Sequence, residues 1–110
     1  MRMKPVRYLC LGLGSFSLLV CSQLYAGGQV DNGKNKFEAC LGCHGIDGYA
    51  NAYPTFRVPK LGGQNAAYIS AALKAYRDGQ RKHGTMTAQA ADMSDQDIAD
   101  IAAYLATLKP

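Results

Sequence analysis

Residues 40–44 read Cys-Leu-Gly-Cys-His, and no other stretch restricts the fold of this chain as tightly. Two thiols three positions apart, with an imidazole directly after them, serve three chemistries: a zinc site, a redox dithiol, or the covalent anchor of a haem. Structural zinc takes four ligands, typically in two separated pairs, and no second CxxC or HxxxH pair is present here. His44, beside Cys43, is also poorly placed to join both thiols on one tetrahedral ion. A thioredoxin-like dithiol belongs in a strand–helix–strand setting, and no strand-like alternation of useful length runs through the chain. The haem anchor suits every residue. Cysteines at i and i+3 lie on one side of a helical turn, about 5–6 Å apart between Cβ atoms, so two thioethers can form to the two vinyl groups of one porphyrin. The adjacent histidine then serves as proximal iron ligand. The motif predicts one haem c per chain, held by Cys40, Cys43 and His44.

The start of the chain supports this reading. Arg2, Lys4 and Arg7 come with no acid, an apolar run extends from Tyr8 to Val20, and the segment closes on the small residue Ala26. That is the layout of a secretory signal, so residues 1–26 are expected to be removed and 27–110 to form one domain. The run is shorter than the roughly 20 apolar residues a membrane span needs. No twin arginine is present, which points to the general export route. The LLVC stretch ending at Cys21 resembles the acylation site of bacterial lipoproteins, but Val20 stands where those carry Gly, Ala or Ser. Cleavage after Ala26 into a soluble periplasmic protein is therefore expected over lipid anchoring at Cys21.

Without the leader only Cys40 and Cys43 remain as cysteines, too few for a disulfide scaffold. Three basic residues leave with it, so the formal charge falls from +4 to about +1. The basic excess belongs to the leader and carries no nucleic-acid signal. The remaining chain has no Trp and is rich in Ala and Gly. A domain this small has a thin core, which a metal, disulfides or a cofactor usually supplements. A large apolar cofactor would supply what is missing.

Three helical segments stand out, and the class expected is all-α. The first runs from about Val30 to Leu41, with Gly33, Phe37 and Leu41 four apart on one face. The second starts after Asn65, a good N-cap, places Tyr68, Ile69, Ala72, Leu73 and Tyr76 on its apolar side, and stops at Gly79. The third begins at Ser94 with Asp97 in the capping-box position. Ile98, Ile101, Ala102 and Leu105 come next at helical spacing, and Lys109 suits its last turn. Residues 45–64 and 80–93 read as long loops, of a length that in a small domain wraps something or carries function.

Taken together, GKNKFEACLGCHG at 33–45, PKLGGQ at 59–64, the Tyr68/Leu73/Tyr76 helix with Arg77 and Gly79, Met86, and MSDQDIADIAAYLATL at 93–108 resemble the class I c-type cytochromes. The likeness is to the small bacterial periplasmic monohaem type, related to the domains of tandem dihaem proteins. It implies the cytochrome c fold, with three main helices whose first and last members cross and long loops around one haem. Gly33 and Phe37 would then meet the last helix near Tyr104. It also implies that the Pro59 carbonyl accepts the proton on the other nitrogen of His44, a bond that fixes ring orientation and raises ligand basicity.

A haem iron with both axial positions filled by protein is an electron-transfer centre, not an enzyme, and takes no small-molecule substrate. The implied function is a one-electron shuttle between larger redox proteins. A haem subunit of an oxidoreductase complex, or a gas-binding or catalytic haem with an open sixth position, are the competing readings. The sixth ligand separates them. Met86, with no cap or helix face in the sequence to explain it, is the expected ligand, as it is in the family. Met93 precedes the Ser94 cap and pairs with Ile98 as a hydrophobic staple. His83 is the third candidate. Arg77, Arg81 and Lys82, with Arg57 and Lys60, form a cationic group that would steer an acidic partner if it rings the exposed haem edge.

Overall fold

A computed structural model of the chain describes residues 27–52 and 55–110; the expected leader, with Cys21 and Ala26, lies outside the described residues. The helices among them are α1 (Val30–Phe37), α2 (Leu41–His44), α3 (Ala66–Arg77), α4 (Gly84–Ala90) and α5 (Asp95–Thr107). The only strand-like pairing among the described residues is one antiparallel bridge between Ala50 and Arg57. The all-α class read from the sequence holds.

The caps fall where the sequence puts them. Asn65 Oδ1 accepts the Tyr68 N–H at 3.1 Å. Ser94 Oγ accepts the Asp97 N–H at 3.1 Å, and Asp97 returns the bond by accepting the Ser94 N–H at 2.9 Å. Gly79 lies just past α3 with φ +75°, the left-handed geometry that ends a helix at least cost in glycine. Ile98, Ile101, Ala102 and Leu105 are all buried. α5 stops at Thr107, so Lys109 lies beyond the last turn in which it was expected.

Two further expectations need correction. The first helix does not run unbroken to Leu41. It passes into a 3₁₀ turn at Glu38–Cys40 before α2 begins. Three residues wound at 3.0 rather than 3.6 per turn rotate the start of α2 by roughly 60°. Gly33 and Phe37 therefore stay buried while Leu41, expected on the same face, is 46% exposed. The second correction is α4, a helix inside the segment read as a loop at 80–93. It contains two β-branched threonines and one large apolar side chain, and its cap is His83, outside the Ser/Thr/Asp/Asn set that signals a helix start.

α1 and α5 cross at Gly33. A Cβ built there would stand 1.9 Å from the Asp100 carbonyl oxygen and 2.8 Å from Tyr104 Cβ. One turn on, Phe37 packs on Tyr104 with ring centroids 5.9 Å apart. Asp100 itself is fully buried in this crossing. Its carboxylate accepts from the Gln29 N–H at 2.7 Å, the Gln96 amide at 2.7 Å and Lys36 Nζ at 3.0 Å. Burial pushes this carboxyl up, but the three donors outweigh that and hold it below the ordinary carboxylate range. Nothing in the sequence pattern marks Asp100 as a core residue.

Phe37, Ile69, Ile101, Ala102 and Leu105 form the core cluster, with Cys40, Leu61, Leu73 and Met93 packed against it. The core is thin, as the length implied, and most of this cluster opens onto a cavity.

Candidate functional site

The cavity holds about 440 Å³, within the roughly 300–1,000 Å³ that small-molecule and cofactor sites occupy. Phe37, Ile69, Ile101 and Leu105 form its floor, and Cys40, Cys43 and His44 line one wall. Pro59 lines it from the 45–64 segment, and Met86 from α4. All five residues expected to hold the haem border this one space. Met93 and His83, the competing ligands, border it as well.

His44 ends α2, and its Nδ1 lies 2.7 Å from the Pro59 carbonyl oxygen. A carbonyl can only accept, so Nδ1 carries a proton, and Nε2 is the nitrogen left to bind a metal. The Leu61 N–H also donates to the His44 carbonyl, at 3.4 Å. The 45–64 segment is folded back by the Asn51 N–H to the Phe56 carbonyl at 3.0 Å and the Val58 N–H to the Tyr49 carbonyl at 2.9 Å. It is then tied to α5 by the Gly63 N–H to the Leu105 carbonyl, at 2.9 Å. Pro59 is thus held against the histidine by a braced loop.

Cys40 is half-buried and Cys43 exposed. Burial pushes the Cys40 thiol up, and the nearby Cys43 adds to the rise. A redox dithiol works through a thiol lowered towards thiolate, so the direction runs against that chemistry. No three His, Cys, Asp or Glu side chains gather into a metal cage among the described residues, as a structural zinc site would require.

The donor set fits a haem. Its walls are apolar and aromatic, and two cysteines, a histidine and two methionines line the space. The cations at the boundary are Arg57, Lys60 and Arg81, and no Asp or Glu lines the cavity among the described residues. A flat apolar group with two carboxylates on its edge matches both features. Arg81 lies over the Tyr76 ring, 4.8 Å from its centroid, and its guanidinium reaches the Tyr68 hydroxyl at 3.4 Å. Tyr68 and Phe56 are half-exposed, at 51% and 49%, yet both line the cavity.

The methionines differ in setting. Met93 is packed on the core cluster just before the Ser94 cap; Ile98, its expected staple partner, is buried but is not a member of that cluster. Met86 sits in the first turn of α4, outside that cluster. The helix that presents it was missed by the sequence reading, and so was its cap. His83 Nδ1 accepts the Met86 N–H at 3.4 Å, while the His83 ring stands edge-on to Phe56 with centroids 5.1 Å apart. His83 is therefore a built-in part of the wall.

The cationic group divides by partner. Arg77 bonds the Met93 carbonyl at 3.1 Å, Asp95 at 2.8 Å and Asp78 at 3.1 Å, which ties the end of α3 to the approach of α5. Lys60 pairs with Asp47 at 3.2 Å. Arg57 and Arg81 border the cavity, and Lys82 is exposed beside it in sequence.

The model of the cytochrome c family matches residues 30–109. The chain is 50% identical over 80 residues to cytochrome c-554(548) of Halomonas halodenitrificans, covering 70% of this chain and 93% of that protein. It is 42% identical over 85 residues to cytochrome c4 of Pseudomonas aeruginosa, covering 77% of this chain and 41% of the relative. Among solved structures it resembles reduced recombinant cytochrome c4 from Pseudomonas stutzeri with a TM-score of 0.61 at 29% identity, over 76% of this chain and 53% of that one. Cytochrome c4 of Acidithiobacillus ferrooxidans is similar with a TM-score of 0.64 at 30% identity, over 74% and 51%. The chain thus spans nearly all of the first relative but about half or less of the cytochromes c4.

Proposed function

We propose, for a chain that belongs to the cytochrome c family and is a small, non-catalytic electron carrier with one haem c attached through its CxxCH motif, that His44 and Met86 are the two axial ligands and that the protein works as a periplasmic shuttle between larger redox proteins. The observation that carries the ligand assignment is the 2.7 Å bond from His44 Nδ1 to the Pro59 carbonyl, in a cavity that Met86 also borders. When bound, the haem supplies a one-electron ferric/ferrous couple.

The chain's own residues do the rest. Cys40 and Cys43 fix the group covalently, so carrying electrons never risks its loss. The Pro59 carbonyl holds the His44 ring in one tautomer and one orientation, and makes Nε2 a stronger donor. Met86 offers a soft thioether, which favours ferrous iron and raises the potential. With His44 and Met86 both bound, the iron would have no position open to oxygen and other small ligands. Phe37, Ile69, Ile101 and Leu105 keep water from the apolar face. Arg57 and Arg81 stand where they could offset the charge of the group's carboxylates, and the exposed Lys82 next to Arg81 in sequence is left to steer an acidic partner.

Export is the reading the leader supports: residues 1–26 are proposed to be cleaved, leaving Gly27 as the mature start. Sequencing the mature N-terminus checks this; a lipid-modified start at Cys21 refutes it. The ligand assignment is tested by Met86→Ala. That variant should lose the weak sulfur-to-iron band at the red edge of the oxidised spectrum and bind carbon monoxide when reduced. Met93→Ala should keep the band, exclude the gas, and lose only packing stability. The reverse pattern would assign the ligand to Met93.

A further inference from the structure

We propose that His83 is a positioning residue for Met86: its ring caps the helix that carries the thioether and braces that helix against the loop that carries Pro59. The inference rests on the reading of Met86 as sixth ligand. It starts from how little of its own sequence favours α4 as a helix, an element that otherwise rests on its packing against α3. The helix has seven residues, Gly84–Ala90, well under the dozen or so that an isolated helix needs in water. It opens with Gly84 and contains Thr85 and Thr87, all poorer helix formers than alanine. Of its side chains only Ala90, at its far end, is buried. The first turn, where Met86 sits, has no buried anchor of its own.

His83 supplies one. Its backbone is extended, at φ −160° and ψ 114°, as an N-cap requires, and Nδ1 accepts the Met86 N–H. The His83 carbonyl accepts the Thr87 N–H at 2.8 Å, which closes the first turn. Met86 is thus the residue whose own backbone is held by the ring. The imidazole also meets Phe56 edge-on at 5.1 Å, and Phe56 lies three residues before Pro59. Arg81 fixes the approach to His83, through its N–H to the Ala75 carbonyl at 2.9 Å and its guanidinium over Tyr76. One imidazole therefore links the segment that carries Met86 to the segment that carries the partner of His44. A serine or aspartate could cap the turn, but neither could pack on Phe56.

The test uses the full holoprotein and tracks two signals during urea titration: the sulfur-to-iron band and far-ultraviolet circular dichroism. His83→Ala should separate them, with the band lost at lower urea than the helices. In the absence of urea the fraction of protein with Met86 displaced, read from the rate of carbon monoxide binding to the reduced form, should rise roughly five- to thirtyfold. His83→Asn, which keeps a capping oxygen, should restore much of this; Phe56→Ala should reproduce part of the His83→Ala effect. Ser94→Ala is the control: it removes a cap on α5, lowers global stability, and should leave the two transitions coincident. If His83→Ala behaves as Ser94→Ala does, the inference is wrong while the Met86 ligand stands. If Met86→Ala itself retains the band, the ligand reading fails first.

Discussion

Replacing Gly33 by alanine sets two rules against each other. In an exposed helix interior the change gains about 1 kcal/mol of helix propensity. At Gly33 the new methyl group would stand 1.9 Å from a backbone oxygen of α5. Real Cβ atoms essentially never approach below 3.0 Å, so α1 and α5 must part by about 1 Å. The obstacle is the Asp100 carbonyl, which has no rotamer through which to yield. Overpacking of this kind costs typically about 1–3 kcal/mol and occasionally more, and a gap of about 1 Å forfeits up to half the dispersion energy of the contacts along it. Those contacts include Phe37 on Tyr104 and the donors around Asp100. Less the propensity gain of about 1 kcal/mol, the net expectation is a loss of about 1–2 kcal/mol. With a urea slope of about 1–2 kcal/mol per molar for a domain of this size, the midpoint should fall by roughly 0.5–2 M. Urea titration of the holoprotein by far-ultraviolet circular dichroism measures it. Gly84→Ala, where an added Cβ meets nothing within 4 Å, should be neutral or stabilising. A Gly33→Ala protein as stable as the wild type would refute the close-crossing argument.

The same contacts set other outcomes. Asp100→Ala removes the acceptor of the Gln29 N–H and the Gln96 amide, while Lys36 keeps Asp97, and should cost about 1–3 kcal/mol in the same titration. Bonding by Lys36 and Ser94 lowers the Asp97 carboxyl from the ordinary 3.8 to about 2. Its contribution is therefore complete above about pH 4 and is lost as the pH falls towards 2. Thermal melts across that window should show a shallower acid decline for Asp97→Asn than for the wild type. Arg77→Ala should lower the urea midpoint but leave the salt dependence of electron transfer unchanged, because that guanidinium serves Met93, Asp95 and Asp78. Arg81→Ala combined with Lys82→Ala should flatten the fall in stopped-flow electron-transfer rate with ionic strength; an unchanged slope would place the docking charge elsewhere.

The five residues from Cys40 to His44 determined the cofactor, because covalent haem attachment is local chemistry: two thiols one helical turn apart and an adjacent imidazole. The caps at Asn65 and Ser94, the stop at Gly79 and the apolar spacing of α5 were equally legible, since each depends on residues within one or two turns. Gly33, Phe37 and Tyr104 were placed through family resemblance, and the close approach at Gly33 agrees. What the sequence could not decide were features made between segments. The 3₁₀ turn that rotates Leu41 outward is a change of winding with no compositional mark. α4 has neither the length, the propensity nor the usual cap to announce itself, and is held by its packing on α3, the burial of Ala90 and the His83 cap that meets Phe56. Asp100 reads as one more charge on an amphipathic helix, until Gln29, Lys36 and Gln96 arrive from around it. Arg77 and Arg81 are four apart and chemically alike, yet one ties loops together and the other borders the cavity. Local chemistry is written in neighbouring residues; the assignment of a side chain to structure or to function depends on partners far along the chain, which only folding brings within hydrogen-bonding reach.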